Sequence, residues 1–567
     1  MLKCVFKSVV PRNIAETFVI DSRSMKVLLV AFLFLSTSFD EAYCANILAV
    51  FSVPAPSHMA LKSALLTELA AKGHHVTVIS PFPEKVSVPN YTDIPVLSQA
   101  FDKIGMNDRK VYDFVHQNAL MMQRQDGRSV YNWVHQNALM VGTRFWQIGG
   151  DTCSEILSDK RVQDLIHSTD LHFDVIILEA FFSDCFLPFG YKFKAPIIKF
   201  CTFGGTNWMG SWVGNPNPYS YVPDGLLGFS DRMNLWERII NSLCGVFFTL
   251  GRQFYYLPRQ DKIAKPFFKD VEGLPHLAEL DATSTALLLV NSHFSISSPK
   301  PLMPNIVQVG GLHIKPPKPL PDVSVHKIGM HRILITRFVI IILEVDMKYF
   351  LSSLYIQLIL PILELQYFLG MKMFHAILFF CDLYCSHLSF PSIAHPNVRL
   401  FVTHGGLMSS QEAINRGVPI VGIPIFSEQR HNVARAVLLG FGIKLDFLNI
   451  SAESASWALR EGLENPRYRE NAQRLSRIYR DQPLTPLDQA VFWTEYVIRH
   501  KGAPHMRSAA LDLTWYQYFL LDVIAVLALV VGIFAFVIFL VFRMVLRKLF
   551  GRKKSMKKVD VFQKKRD

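Results

Sequence analysis

Asn46-Ile47-Leu48-Ala49-Val50-Phe51 opens the stretch that decides the fold, which continues through His58–Lys72 and Val76-Thr77-Val78-Ile79 to Pro81. The first run is short and wholly apolar, which predicts a strand buried on both faces. His58–Lys72 reads as a helix stopped by Gly73, and the second apolar run as another strand. Strand, helix and strand in that order begin a parallel, doubly wound α/β sheet. The turn Ser52–His58 lacks the GxGxxG spacing, which argues against a dinucleotide site. It does place a histidine at the carboxyl end of the first strand, where open α/β sheets hold their ligands.

On position alone His58 is an ordinary solvated residue at a helix start. Phe173–Glu179 changes that reading, because it is a second buried strand ending in a carboxylate on the same edge of a parallel sheet. A carboxylate bonded to one imidazole nitrogen sets the tautomer and makes the ring a competent general base. Glu179 and Asp184 are both in reach for that role. Between these segments Val111–Met121 recurs as Val130–Met140, a local duplication with no chemistry of its own.

Farther on, Val398–Val402 predicts a strand, Thr403-His404-Gly405-Gly406 a tight turn, and Leu407–Asn415 a helix closed by Gly417. Glycines allow close approach of a phosphate, and a helix start offers free amides and the positive end of its dipole. This is a diphosphate seat, to which His404 adds a donor. Glu412, two turns into the helix, is placed to accept from ribose hydroxyls. A further strand, Ile420–Ile423, leads through Pro424 to Phe426-Ser427-Glu428-Gln429, an acid and an amide suited to reading sugar hydroxyls.

The chain has 567 residues, half of them hydrophobic and 19% charged, with a net charge of +13. That length implies two globular domains, and that composition a membrane segment. The charge is local: from Arg543 onward eleven Lys or Arg face two acids. A basic tail of this kind excludes a nucleic-acid-binding face. It follows Val523–Phe542, twenty residues without a charge, enough to cross the roughly 30 Å bilayer core as a helix. Lys and Arg beside a span mark its cytosolic side, which leaves the bulk of the chain lumenal. Met25 to Ala45 has the three-part pattern of a signal peptide. Asn90-Tyr-Thr92 and Asn449-Ile-Ser451 are glycosylation sequons, and the cysteines show no zinc-site spacing, so no metal is expected.

His395-Pro396-Asn397 through Gln429 resembles the signature of the UDP-glycosyltransferase, or UDP-glucuronosyltransferase, family, with wording closest to arthropod members. The similarity extends to Asn46–Pro83, Phe173–Trp208, Gln308–His313 and Phe492 through the transmembrane segment, about three quarters of the chain. It implies a GT-B fold of two Rossmann-like domains, with the acceptor held by the first and UDP-sugar by the second. It implies one-step inverting transfer of a hexose, from UDP-glucose or UDP-glucuronate as co-substrate, to a hydroxyl of a small lipophilic acceptor, without a cofactor. Carried over by position, His58 is the base and Glu179 stands where the family often has its Asp partner. His404, Gly405, Gly406 and Glu412 hold the nucleotide, and Glu428 and Gln429 the sugar. Met408 stands where vertebrate members have Asn. Lys564-Lys565-Arg566-Asp567 resembles a dilysine retrieval signal, which implies a type I protein of the endoplasmic reticulum membrane; a homo-oligomer is compatible with all of this.

The expected organisation is an upstream extension (1–24), signal peptide (25–45), acceptor domain (46–310), Pro-rich linker (311–322), donor domain (393–510), transmembrane helix (523–542) and cytosolic tail (543–567). Residues 323–392 depart from the family and read as an apolar insert or a mispredicted exon. The family would carry Phe-Ser-x-Gly-Ser and Trp-x-Pro-Gln there, and Ser386 and Ser389 occupy the places of that Trp and Gln. The alternative this raises is a catalytically impaired member that binds lipophilic ligands without transferring sugar.

Overall fold

The computed structural model describes residues 44–96, 98, 129–316, 377–381, 393, 398–424, 428–446 and 450–563. Residues 1–43, the first repeat copy, most of 323–392, Asn449 and the last four residues lie outside the described residues.

Seven strands form the first sheet: β1 (Asn46–Val50), β2 (His75–Ser80), β3 (Tyr91–Pro95), β4 (Val175–Glu179), β5 (Ile197–Cys201), β6 (Thr285–Val290) and β7 (Ile306–Gln308). Their order is β3-β2-β1-β4-β5-β6-β7, and every pair is parallel. The chain reverses its direction of travel across the sheet between β1 and β4, which opens a crevice at their carboxyl ends. Both strands read as apolar runs because helices cover both faces. Helix α1 (Pro56–Ala71) crosses from β1 to β2, starting two residues before His58 because proline suits a first helical turn.

A second parallel sheet has the order β11-β10-β9-β8, from β8 (Ile377–Cys381), β9 (Val398–Thr403), β10 (Ile420–Gly422) and β11 (Gly442–Lys444). The apolar segment between the domains thus supplies one edge strand, β8, paired to β9. Helix α2 (Leu407–Arg416) follows β9 and α3 (Gln429–Leu438) follows β10. Within 393–510, helix α4 (Pro486–Arg499) returns to the first sheet. Its Ala490, Val491, Val497 and Ile498 join the core of Ile47, Ala49, Leu61 and Leu65. The apolar run Val523–Phe542 lies inside a single helix, α5 (Leu521–Gln563), whose Leu521–Phe550 portion is long and apolar enough to cross a membrane.

Candidate active site

The reversal point brings His58 and Glu179 together. Glu179 ends β4 with its side chain fully buried, and its Oε2 accepts N–H bonds from Ser52 at 2.8 Å and Val53 at 3.0 Å. Its Oε1 lies 2.5 Å from His58 Nδ1. Three hydrogen bonds to one carboxylate compensate its burial. With Nδ1–H committed to the carboxylate, the other ring nitrogen, Nε2, keeps its lone pair. Thr202, just past β5, sets its Oγ1 3.0 Å from Nδ1 and 3.4 Å from Nε2. Phe181 meets the ring edge-on at 5.5 Å between centroids, starting an aromatic wall of Phe145, Phe182 and Phe203. The side chain of His58 is 16% exposed, so the crevice reaches it.

Asp184, the other candidate partner, is not brought to His58. The chain turns after β4 through Phe182, whose φ is +54°, and a short 3-10 turn sends Asp184 toward β5. There Asp184 Oδ1 lies 3.0 Å from Arg252 Nη2 and 3.4 Å from Lys199 Nζ. Asp281 completes the cluster at 2.7 Å from Lys199 and 2.6 Å from Arg252. Burial opposes the Asp281 charge, yet Arg252 and Lys199 overcome it and hold that carboxyl below its usual range. Burial likewise opposes Arg252, while Asp184 and Asp281 push its pKa up. The lysine inside the apolar strand Ile197–Cys201 was the available signal, since a buried ammonium needs a carboxylate. Beside this cluster Cys153 and Cys185 form a disulfide, a pairing that their spacing does not disclose.

In the second sheet the turn after β9 has the form the glycines require. Gly405 has φ +83°, and a Cβ there would collide with Val433 Cγ2. Its carbonyl accepts from Asn432 Nδ2 at 3.0 Å, which ties the turn to α3. Helix α2 is preceded by Gly406 as its N-cap, with neither a side-chain cap nor an acid in its first turn, so no carboxylate of its own offsets the positive end of its dipole. The His404 imidazole stands over Gly406, where a Cβ would collide with Nε2. Glu412 is buried, with Oε1 3.4 Å from Nε2 of His313, on the segment after β7. Gln429 is buried at the start of α3, and Glu428 is the residue before it; Phe426 and Ser427 lie outside the described residues.

The two halves touch at these sites. The loop bearing Thr202 places Gly204 against Leu407, the first residue of α2, 3.7 Å from where a Cβ would be. Asn291 Nδ2 donates to Thr202 O at 2.9 Å, and Gln411 Nε2 on α2 approaches Asn291 O at 3.5 Å. From α3, Arg435 donates to Ile296 O at 2.9 Å and Ser297 O at 3.1 Å, and His431 Nδ1 lies 3.2 Å from Phe229 O. Thr202 and Asn291 have no sequence signature beyond their place at strand ends.

The family described as UDP-glucoronosyl and UDP-glucosyl transferase matches residues 47–331 and 391–556, and the unmatched stretch falls within the atypical segment. A UDP-glycosyltransferase, UGT5, of Dactylopius coccus is 32% identical over 93% of this chain and 98% of its own. UDP-glucosyltransferase 2 of the same organism is 32% identical over 90% and 95%. UDP-glucuronosyltransferase 2B7 of Homo sapiens is 30% identical over 89% and 94%. Among solved structures, the spinosyn forosaminyltransferase SpnP is a loose likeness, at a TM-score of 0.43 and 14% identity over 80% of this chain and 99% of that one. By the family match and the relatives aligned along nearly its whole length, the chain belongs to the UDP-glucuronosyl and UDP-glucosyl transferase family and is a glycosyltransferase that takes its sugar from a UDP-sugar.

Proposed function

We propose that the enzyme is an inverting transferase that places a hexose on a hydroxyl of a small lipophilic acceptor, with His58 as general base and Glu179 as the residue that orients it. The observation that carries this reading is the 2.5 Å contact of His58 Nδ1 with Glu179 Oε1 at the reversal point of the first sheet. The acceptor hydroxyl gives its proton to Nε2 while its oxygen attacks the anomeric carbon. The bond from that carbon to the UDP oxygen breaks on the opposite face. Glu179 stabilises the imidazolium, and the α2 amino-terminus with His404 offsets charge developing on UDP. Glu412 serves the ribose, and Glu428 with Gln429 the sugar. The scheme uses no metal or cofactor. The aromatic wall around His58 suits an apolar acceptor.

UDP-glucose is our first choice of donor, on the name of one Dactylopius coccus relative, UDP-glucosyltransferase 2, with UDP-glucuronate second on the name of the human relative. We place the protein in the endoplasmic reticulum membrane as a type I protein with its domains lumenal. The Cys153–Cys185 disulfide favours an oxidising compartment, and Asn90 is exposed for glycosylation. The comparisons give no support to the impaired, non-transferring alternative.

The test is sugar transfer by the full chain in microsomes, with UDP-glucose or UDP-glucuronate and a phenolic acceptor, and the product's anomeric configuration read by NMR. A β-linked product from the α-linked donor, absent with His58→Ala, is expected. A retained configuration, or full activity without His58, would overturn the mechanism.

A further inference from the structure

Helix Leu235–Gly251 runs on through a π-helical turn, Arg252–Tyr256, into helix Leu257–Ala264. Its inner side is anchored. Ile240, Cys244 and Phe248 pack into the core, and Asn241 Nδ2 donates to Tyr219 O at 2.7 Å and Val222 O at 2.8 Å. Arg252 points inward to Asp184 and Asp281. The outer side is the reverse of what a soluble surface carries. Trp236, Ile239, Leu243, Phe247, Leu250 and Phe254 recur at helical spacing, and all are exposed, Trp236 to 65% and Phe254 to 76%. Arg238 is the one charged residue among the exposed positions from 235 to 255. A contiguous apolar stripe of this length marks an interaction surface.

We infer that this stripe lies in the plane of the membrane, against the leaflet from which the transmembrane helix emerges. The inference rests on the membrane anchorage proposed above. Its occupant is indicated by where the chain enters the bilayer. The segment just before that helix packs beside the stripe's own support: a Cβ at Gly214 would sit 2.7 Å from Ser508 Cβ and 3.3 Å from Leu511 Cγ. Gly214 caps the 3-10 helix Asn207–Val213, whose Asn207 donates to the same Val222 carbonyl that Asn241 holds. The stripe and the start of the span therefore hang from one packed unit. Between them and the span, Trp515, Tyr516, Tyr518 and Phe519 are exposed, the residue types that settle at a membrane interface. An amphipathic helix with Trp and Phe on its apolar side lies in the interface plane and does not cross it, which agrees with its buried Asn241 and Arg252.

The experiment uses the full chain carrying Leu243→Cys, labelled with an environment-sensitive fluorophore and reconstituted in phosphatidylcholine vesicles with or without a nitroxide-labelled lipid. Label taken up by the unsubstituted chain is subtracted. Lys160→Cys, at an exposed charged position, is the reference, and Val246→Cys replaces Leu243→Cys should that variant fail to fold. At least threefold stronger quenching by the lipid nitroxide at 243 than at 160, with weaker quenching by aqueous iodide, is expected. Equal iodide quenching at the two positions would overturn the inference. So would protection from both quenchers, which would assign the stripe to residues 99–128 or to a second copy of the chain. Flotation of the protein with the vesicles reports the anchor separately, and transfer to a water-soluble acceptor reports the catalytic reading.

Discussion

His58 Nδ1 and Glu179 Oε1 stand 2.5 Å apart although 121 positions separate them in the chain. They meet because β1 and β4 are neighbours in the sheet, with Val50 paired to Leu178, so both strands deliver their carboxyl-end residues to one edge. The two residues depend on each other unequally. Glu179 is also held by the Ser52 and Val53 amides, whereas Glu179 is the sole carboxylate on the His58 ring among the described residues.

That asymmetry sets the first prediction. His58→Ala should fold, since Glu179 keeps its backbone partners, and should lower kcat by about 10³-fold or more with UDP-sugar affinity unchanged. Glu179→Gln should lower kcat by roughly 10²–10⁴-fold, because an amide cannot stabilise the imidazolium. Steady-state kinetics with donor titration separates these from a folding defect seen by circular dichroism.

Asp184→Ala should act on stability. It leaves part of the Lys199 and Arg252 charge buried without its carboxylate, a loss of about 3–5 kcal/mol. Denaturant unfolding measures it. The pH profile of kcat for the folded fraction should match that of the unsubstituted enzyme, and a displaced profile would assign Asp184 to the chemistry instead.

On the donor side, Gly405→Ala introduces a side chain at φ +83° and into Val433, so it should disorder the turn and abolish UDP binding. Glu412→Gln keeps the shape but removes the charge facing His313, and should raise KM for UDP-sugar about tenfold with a smaller change in kcat. Calorimetric titration with UDP reads the first, and steady-state kinetics with donor titration reads the second.

Removing the disulfide with Cys153→Ser and Cys185→Ser together should cost about 2–5 kcal/mol of stability. Adding reductant should lower the melting temperature of the unsubstituted protein toward that of the double variant and leave the variant unmoved.

Acid should loosen the seam between the halves. Burial pulls the pKa of His293 down to about 4; its ring stacks on Tyr479 at 4.0 Å, and its Nδ1 accepts the Ser295 N–H at 3.2 Å. The unfolded ring titrates near 6.5, so between pH 6.5 and 4 the unfolded state binds the extra proton. Stability should fall as pH drops through that window, and His293→Gln should flatten the dependence. Thermal melts at half-unit pH steps provide the check.

The sequence alone determined the element types, the long apolar helix near the C-terminus, the glycine turn ahead of α2 and the family. Each rests on local chemistry: unbroken apolar runs such as Ile47–Phe51 and Val175–Leu178, glycines at the turn before Leu407, twenty uncharged residues after Asp522. Only the tertiary structure decided between Glu179 and Asp184, paired Cys153 with Cys185, placed Thr202 on His58, and sent the helix Pro486–Arg499 back to the first sheet. Those outcomes depend on which strands become neighbours and on which buried charges must neutralise one another. Lys199, enclosed in β5, and Arg252 together hold Asp184, and that long-range pairing leaves no periodic trace along the chain.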